Sequence, residues 1–267
     1  MTAPAGGDRV PVTVVIAAHN EADDIEACVR SASWAAEVLV VENDSTDDTV
    51  AQARAAGATV FSHAFRTIGA QRNVAIARAA HPWVLVLDAD ERATPALGSE
   101  VARRIQENRT EAYRVPRRNW FLGREIRHSG WGRDRPVRLF RSTLRYDERP
   151  VHEHVLTSTE PAMLDEALLH NPYASMTEYF EKLGRYSHDW AAQNHARGRK
   201  VGLLSLLVRP QARFLSTLVV RGGWRDGWQG VAISALAAVS VASKYAHLWA
   251  LQNEVRSGVR VDGSWPK

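Results

Sequence analysis

Apolar positions in the first hundred residues follow two alternating periods. "VPVTVVIAAHN" is a near-continuous apolar run that predicts a buried strand ending near Ala18. The next stretch, "EADDIEACVRSAS", sets Ile25, Cys28, Val29 and Ala32 at helical spacing. Glu21, Asp23 and Asp24 put acid into the first turn of that expected helix, where the backbone dipole favours it. The alternation then repeats. "EVLVVE" reads as strand, and "STDDTVAQARAAG" as a helix that Ser45 and Thr46 can cap and Gly57 can stop. "TVFSHAF" reads as strand, "IGAQRNVAIARAA" as helix and "HPWVLVLDAD" as strand. "TPALGSEVARRIQEN" reads as a helix with Thr94 as its cap and Pro95 at its first position.

Strands and helices that alternate through short links predict an α/β fold, a mostly parallel sheet flanked by helices. Such sheets collect ligands at the carboxyl ends of their strands. The polar clusters "AAHNE", "ENDST" and "DADER" all fall at such ends, so three separate elements point to one crevice. Beyond residue 110 the pattern changes to a basic, aromatic stretch, "EAYRVPRRNWFLGREIRHSGWGRDRPVRLFRS", with strand-like pieces at Val137–Phe140 and Val151–Leu156. From Thr177 the chain reads helical, and Val201–Gln252 is apolar with scattered arginines. The expected division is a catalytic domain over 1–175 and a helical, partly apolar extension over 176–267. That extension is expected to face the acceptor, a membrane or a second copy of the chain.

Composition narrows the class. A chain of 267 residues with 45% hydrophobic residues can bury a substantial core. The formal charge of +4 suits an anionic substrate or membrane without selecting either. The single cysteine, Cys28, excludes an internal disulfide framework, fits a reducing, cytoplasmic compartment and is expected in the core. The N-terminus lacks the basic-then-apolar order of a signal peptide. The longest uninterrupted apolar run, Val231–Ser243, is broken by Lys244 and is expected to lie on a surface rather than span a bilayer. Apolar helices mixed with arginines and tryptophans suit a peripheral contact with the inner face of the plasma membrane; a packed lid or a homo-oligomer face explains the same pattern. The basic loop carries no nucleic-acid-binding module.

The chemistry starts from an absence. The sequence has no GxxxxGK[ST] loop and no GxGxxG after the first strand, and the acids there would repel a pyrophosphate. "VLVLDADER" suggests another solution. In an extended chain residues i and i+2 share a side, so Asp88 and Asp90 are expected to converge. Two converging carboxylates call for a cation, and Mg²⁺ or Mn²⁺ binds through one or two carboxylates plus substrate phosphates.

"VTVVIAAHNEADDI", "VLVVENDSTDDT", "GAQRNVAI", "WVLVLDADER", "RRNWFLGREIRHSGW", "RLFR", "RPVHEHV", "LLHNPYASMTEYFEKLGRYS" and "KYAHLWALQ" occur in this order. The set resembles the family 2 inverting glycosyltransferases of the Rossmann-like GT-A fold, in particular the branch that includes the lipopolysaccharide-core β-glucosyltransferases. The resemblance runs from Val12 to Gln252. It implies transfer of a hexose, glucose first, from a UDP-linked donor to an acceptor hydroxyl, with inversion and with Mg²⁺ or Mn²⁺ as cofactor. The acceptor it implies is a cell-envelope glycan, a lipid-linked sugar or a natural product. It places Ala17, Asn20, Glu21, Glu42, Asn43, Gln71, Arg72, Asp88 and Ala89 at the donor nucleotide. Glu42 stands where the family usually has aspartate, and Asn43 replaces a second acid. Asp88, Asp90 and His170 are implied at the metal.

Inversion in one displacement requires one carboxylate to take the acceptor proton. By resemblance that base is Glu153 in "VHEH", with Asp134 in "GRDRP" as its rival. The bland alternative for Glu153 is an ion pair with Arg149 or a nearby arginine. Trp120, Trp131, His152 and His154 are candidate acceptor contacts, with Phe121 a further stacking surface. Arg117, Arg118, Arg124, Arg127 and Arg133 are candidates for holding an anionic acceptor. Two other readings are transfer to a polyprenyl phosphate, which needs no strong base, and a catalytically silent scaffold at the membrane.

Overall fold

The computed structural model describes residues 9–147, 149, 153–173 and 175–257. The chain forms two compact units. One contains the residues up to Asn119 together with Arg133–Asn171, and the other contains Trp120–Gly132 and the chain from Pro172 onward. The basic, aromatic segment around Trp120 therefore belongs with the C-terminal helices rather than with the catalytic stretch that surrounds it in sequence.

The first unit carries the alternation read from the sequence: β1 (Val10–Ala18), α1 (Ile25–Ser31), β2 (Ala35–Glu42), α2 (Thr49–Ala55), β3 (Thr59–Ser62), α3 (Ile68–Ile76), β4 (Trp83–Asp88), β5 (Glu91–Ala93) and α4 (Pro95–Glu107). Shorter strands follow: β6 (Ala112–Arg114), β7 (Arg117–Phe121), β8 (Arg124–Ile126), β9 (Val137–Arg141), β10 (Ala162–Met163) and β11 (Leu168–His170). β7 runs on into the second unit, which holds β8. The main sheet has the order β10-β6-β9-β4-β1-β2-β3. Its β4-β1-β2-β3 portion is parallel, and β9 inserts antiparallel between β4 and β6. β11 forms a smaller sheet, antiparallel to β5 and parallel to β7.

Period-2 alternation assigns the strand residues to two faces. Val12, Val14 and Ile16 of β1, with Leu85 and Leu87 of β4, pack on one side of the sheet with Ile25, Cys28 and Val29 of α1 and Leu97 and Val101 of α4. Val15 of β1, with Val84 and Val86 of β4, packs on the other with Ala75 and Ile76 of α3. Cys28 is fully buried, as expected, and burial pushes its thiol pKa up. Thr94 caps α4, accepting from the Leu97 N–H at 3.2 Å, with Pro95 following it.

Three local expectations need correction. Ser45 and Thr46 do not cap α2; its N-cap is Asp48, and Asp47 instead accepts from the Thr49 N–H at 3.0 Å and the Ala22 N–H at 3.1 Å. Glu21, Asp23 and Asp24 precede α1 rather than fill its first turn, and Asp24 pairs with Arg92 at 2.5 Å. Over the expected strand Val151–Leu156, the described residues 153–156 contribute one isolated bridge, Val155 to Tyr146.

In the second unit α5 (Met176–Ala196), α6 (Leu203–Leu215), a π-helical turn over Ser216–Val220, a 3₁₀ turn over Gly223–Asp226 and α7 (Gly227–Ser257) follow one another. α7 packs along both α5 and α6. Its small core gathers Phe121, Ile126 and Ile233, with Trp131, Tyr173 and Met176 against them. By length and composition, Leu203–Val220 and Gly223–Asn253 are long and apolar enough to cross a membrane, which counting uninterrupted apolar runs did not detect.

Candidate active site

Strand register builds the site. Ala17 of β1 pairs with Asp88 of β4 on one side and with Val41 of β2 on the other, and Ala18 pairs with Glu42. The carboxyl ends of β4, β1 and β2 thus lie side by side, where the connections diverge in opposite directions along the sheet and a crevice opens. Because β9 runs antiparallel to β4, its first residues lie at the same end, bringing Arg138 to Asp88.

Asp88 is the hub of a buried ionic network. One oxygen accepts from Arg72 and the other from Arg138 and from Arg117, the last at 2.9 Å. Arg72 also donates to Glu153. Arg117 pairs with Asp134 at 3.0 Å and with Glu91 at 2.5 Å. Glu91 is fully buried, lies 3.3 Å from Arg138 and accepts from the Asp88 N–H at 2.9 Å. Arg72 and Arg138 are only 5% and 3% exposed, so their charges depend on these carboxylates rather than on water. Burial alone would raise the Asp88 pKa, but Arg138, Arg72 and Arg117 outweigh it and hold the carboxyl far below the usual range. Burial would lower the Arg72 and Arg138 pKa values, and Asp88 above all reverses that.

The network lines a cavity of about 670 Å³ in the first unit, walled by Arg72, Asp88, Arg117, Asp134, Arg138 and Glu153, with His154 at its edge. Both candidate bases therefore open onto one space. Glu153 pairs with Arg72, whereas Arg149 pairs with Asp147 at 3.0 Å. His154 is exposed and anchored through its backbone N–H to Asp147 at 3.1 Å. His152 lies outside the described residues.

Asp88 and Asp90 have different partners. β4 ends at Asp88, and Ala89 and Asp90 form a turn, so the i, i+2 rule for extended chain fails here. The Asp90 Oδ2 lies 3.4 Å from His170 Nε2, and its Oδ1 is buried without a hydrogen-bond partner. β11 carries His170 into this position beside Glu91 of β5 and Asn119 of β7. His170 Nδ1 stands 2.6 Å from the Asn119 Oδ1; with Nδ1 as the donor, Nε2 is left as a ligating lone pair. Among the described residues no three His, Cys, Asp or Glu side chains are gathered for a metal ion. Asp90 and His170 nevertheless fit a divalent cation that completes its shell with diphosphate oxygens: an orphaned buried carboxylate oxygen and an oriented imidazole suit Mn²⁺ or Mg²⁺. Both Asp88 oxygens are already engaged by guanidinium groups.

The remaining donor candidates sit on the neighbouring loops. Glu42 accepts from the Ser62 hydroxyl and from the Ser45 N–H at 3.1 Å; burial raises its pKa, but these bonds prevail and lower it. Asn43 accepts from the Gln71 side chain at 3.3 Å, and the other Gln71 amide atom is buried without a partner. Asn20 adopts φ of +54° and accepts from the Thr46 N–H at 2.8 Å, while the Glu21 N–H donates to Thr49 at 2.8 Å. Ala89 is buried within the turn. Trp120 and Trp131 lie in the second unit, where Trp131 packs edge-on to Phe121 at 5.9 Å.

Sequence reasoning missed Arg138, Glu91, Asn73 and Asn119. Arg138 had a signal: it interrupts the apolar run of "VRLF", and a charge inside a buried strand requires a partner. Asn73 exchanges two 2.9 Å hydrogen bonds with the Tyr146 backbone and fixes that segment, as does Gly69, where an added Cβ would come 2.5 Å from the Asp147 carbonyl oxygen.

This arrangement, an α/β sheet whose carboxyl edge carries a guanidinium–carboxylate cluster beside an acid–histidine pair, suits handling of an anionic diphosphate. The chain belongs to glycosyl transferase family 2, whose model matches residues 13–169. It is a glycosyltransferase of glycan biosynthesis. It is 27% identical over 240 residues to the lipopolysaccharide core biosynthesis glycosyltransferase LpsC of Rhizobium meliloti (strain 1021), covering 86% of this chain and 89% of that one. A shorter match, 42% identical over 100 residues, links 34% of this chain to 28% of the succinoglycan biosynthesis protein ExoU of the same organism. Among solved structures, glucosyl-3-phosphoglycerate synthase from Mycobacterium tuberculosis, in complex with Mn²⁺, UDP and phosphoglyceric acid, matches with TM-score 0.37 and 24% identity, over 40% of this chain and 43% of that one.

Proposed function

We propose that this chain transfers a hexose, with glucose the first candidate, from a UDP-linked donor to a hydroxyl of a cell-envelope glycan, with inversion. The observation that carries the reading is the single cavity in which Arg72 joins Asp88, at the sheet edge, to Glu153, a carboxylate free to act on an acceptor once released. The relation to a lipopolysaccharide core enzyme supports an envelope glycan as acceptor.

In this reading Glu42, Asn43, Asn20 and Glu21 receive the nucleoside, and Gln71 and Arg72 meet the diphosphate. Asp90 and His170 would hold a divalent cation, which when bound would supply charge compensation for the departing diphosphate. Incoming phosphate oxygens compete for the Arg72 guanidinium and weaken its grip on Glu153. Glu153 then takes the proton of the acceptor hydroxyl, while Asp134, fixed by Arg117, orients the acceptor. Asp88 keeps Arg72, Arg117 and Arg138 aimed into the cavity.

UDP release from UDP-glucose, measured with truncated lipopolysaccharide cores as acceptors, tests the proposal. Glu153→Gln is expected to lower transfer about a hundredfold or more, the usual contribution of a positioned base. Near-full activity in that variant would instead point to an acceptor that is already anionic, such as a polyprenyl phosphate. No turnover of any UDP-sugar by the wild-type chain would overturn the donor assignment.

A further inference from the structure

The second unit carries an exposed apolar surface none of whose residues line the cavity at Asp88 and Glu153. Leu203, Leu204, Leu207, Val208 and Leu215 line one side of α6 at helical spacing, and Leu204 is 74% exposed. The apolar surface continues through Val219 and Val220 of the π-helical turn to Trp224 and Trp228, each more than half exposed. In the most apolar 18-residue windows of the two long segments, only 6% of the one in Leu203–Val220 and 22% of the one in Gly223–Asn253 is buried, so little of either window is sequestered from the surface. Exposed apolar area this continuous marks an interaction site.

Charge identifies the occupant. From Trp190 to Asn253 the sequence holds a single acid, Asp226. Asp226 is buried and already accepts from the Arg127 and His128 N–H groups and the Ser129 hydroxyl. The same stretch carries Arg197, Arg199, Lys200, Arg209, Arg213, Arg221, Arg225 and Lys244. Immediately before the apolar side of α6, a cavity of about 610 Å³ is lined by His195, Arg199, Lys200, Trp249, Gln252 and Asn253. Arg199 is held in place by Asn194 at 3.1 Å and Tyr245 at 3.2 Å, with its guanidinium near the Trp190 ring. A basic pocket beside the exposed apolar side of α6, with tryptophans at the far end, complements a layer that is anionic outside and apolar inside.

We propose that α6 and the turns after it seat on the surface of an anionic bilayer, with the pocket at Arg199 and Lys200 taking a lipid phosphate. Spanning is disfavoured because Arg209 and Arg213 would then lie near the middle of the bilayer. Trp224 and Trp228 rest at headgroup depth, where amphipathic rings concentrate. This goes beyond the transfer reaction, and a vesicle assay without sugar donor reads it independently of the proposed function.

The experiment is flotation of the full chain with vesicles of phosphatidylcholine containing a quarter phosphatidylglycerol, against pure phosphatidylcholine, at low and high salt. Binding to the anionic vesicles is expected, weakened by about tenfold or more on neutral vesicles or at high salt. Arg197→Glu/Lys200→Glu and Leu204→Glu/Leu207→Glu, all at exposed positions, should each reduce binding by a similar factor with unchanged melting temperatures. Should one pair fail to fold, quenching of wild-type tryptophan fluorescence by brominated lipid reads the contact directly and is expected on anionic vesicles. Four results would overturn the proposal: no binding to anionic vesicles, equal binding to neutral ones, a lipid-free dimer that the leucine variants dissolve, or retention after an alkaline wash, which would mark a spanning segment.

Discussion

Arg72 joins Asp88 to Glu153 through two nitrogens of one guanidinium, so the sheet edge and the candidate base share a single cation. The arginine is almost fully buried and lies 5.2 Å from the Tyr146 ring centroid. Its planar fork spans two carboxylates in a way that a lysine ammonium does not match. Arg72→Lys is therefore expected to keep the fold but lose about tenfold or more in kcat/KM for the UDP-sugar. A steady-state comparison of the two proteins checks this, and equal kcat/KM values would remove Arg72 from the donor site.

Glu91 is expected to matter for stability rather than chemistry. It is fully buried, at 2.5 Å from Arg117 and 3.3 Å from Arg138. Glu91→Gln leaves an excess of buried positive charge, which costs about 3 kcal/mol by analogy with broken buried pairs. Urea denaturation should show a lower midpoint with an unchanged slope. A midpoint equal to wild type would mean that Asp88 alone sustains the arginines.

The depressed Asp88 pKa sets a pH dependence. A carboxylate whose folded pKa lies below its unfolded value contributes stability at neutral pH and loses it as pH falls toward the folded pKa. Loss of stability is thus expected to begin below about pH 4, near the unfolded aspartate value. Asp88→Asn should flatten that acid limb while lowering stability at neutral pH, read from melting temperatures across the pH range.

Gly69 tests the packing behind Glu153. An added Cβ would stand 2.5 Å from the Asp147 carbonyl oxygen and 3.4 Å from the Glu153 Cβ, so one of the two segments must shift. Gly69→Ala is expected to reduce transfer more than it reduces donor binding. Comparing kcat with the UDP-sugar Kd separates the two, and a variant with unchanged kcat would show that the segment holding Glu153 has slack.

The sheet was legible because its strands are buried on both faces and followed by helices of clear period, as with Val12–Ile16 and α4. The crevice was legible because polar clusters end three of those strands. The partners of Asp88 were not. Arg138 reaches it only because β9 inserts antiparallel beside β4, a pairing no local pattern encodes. The extended-chain argument for Asp88 and Asp90 does not apply because the strand stops between them, and strand ends are the least determined feature of a sequence reading. Trp120 and Trp131 fall within the stretch 1–175 expected as the catalytic domain, yet the chain around them groups with the C-terminal helices.

The central claim is a nucleotide-sugar site completed by a divalent cation at Asp90 and His170. The most direct measurement is calorimetric titration of UDP-glucose into the wild-type chain and into Asp90→Ala, each with and without Mn²⁺. Mn²⁺-dependent binding to the wild type is expected, abolished in Asp90→Ala while the melting temperature of that variant without ligand stays the same. Binding that is equally tight without Mn²⁺, or unchanged in Asp90→Ala, would contradict the claim and leave the arginine network alone to hold the diphosphate.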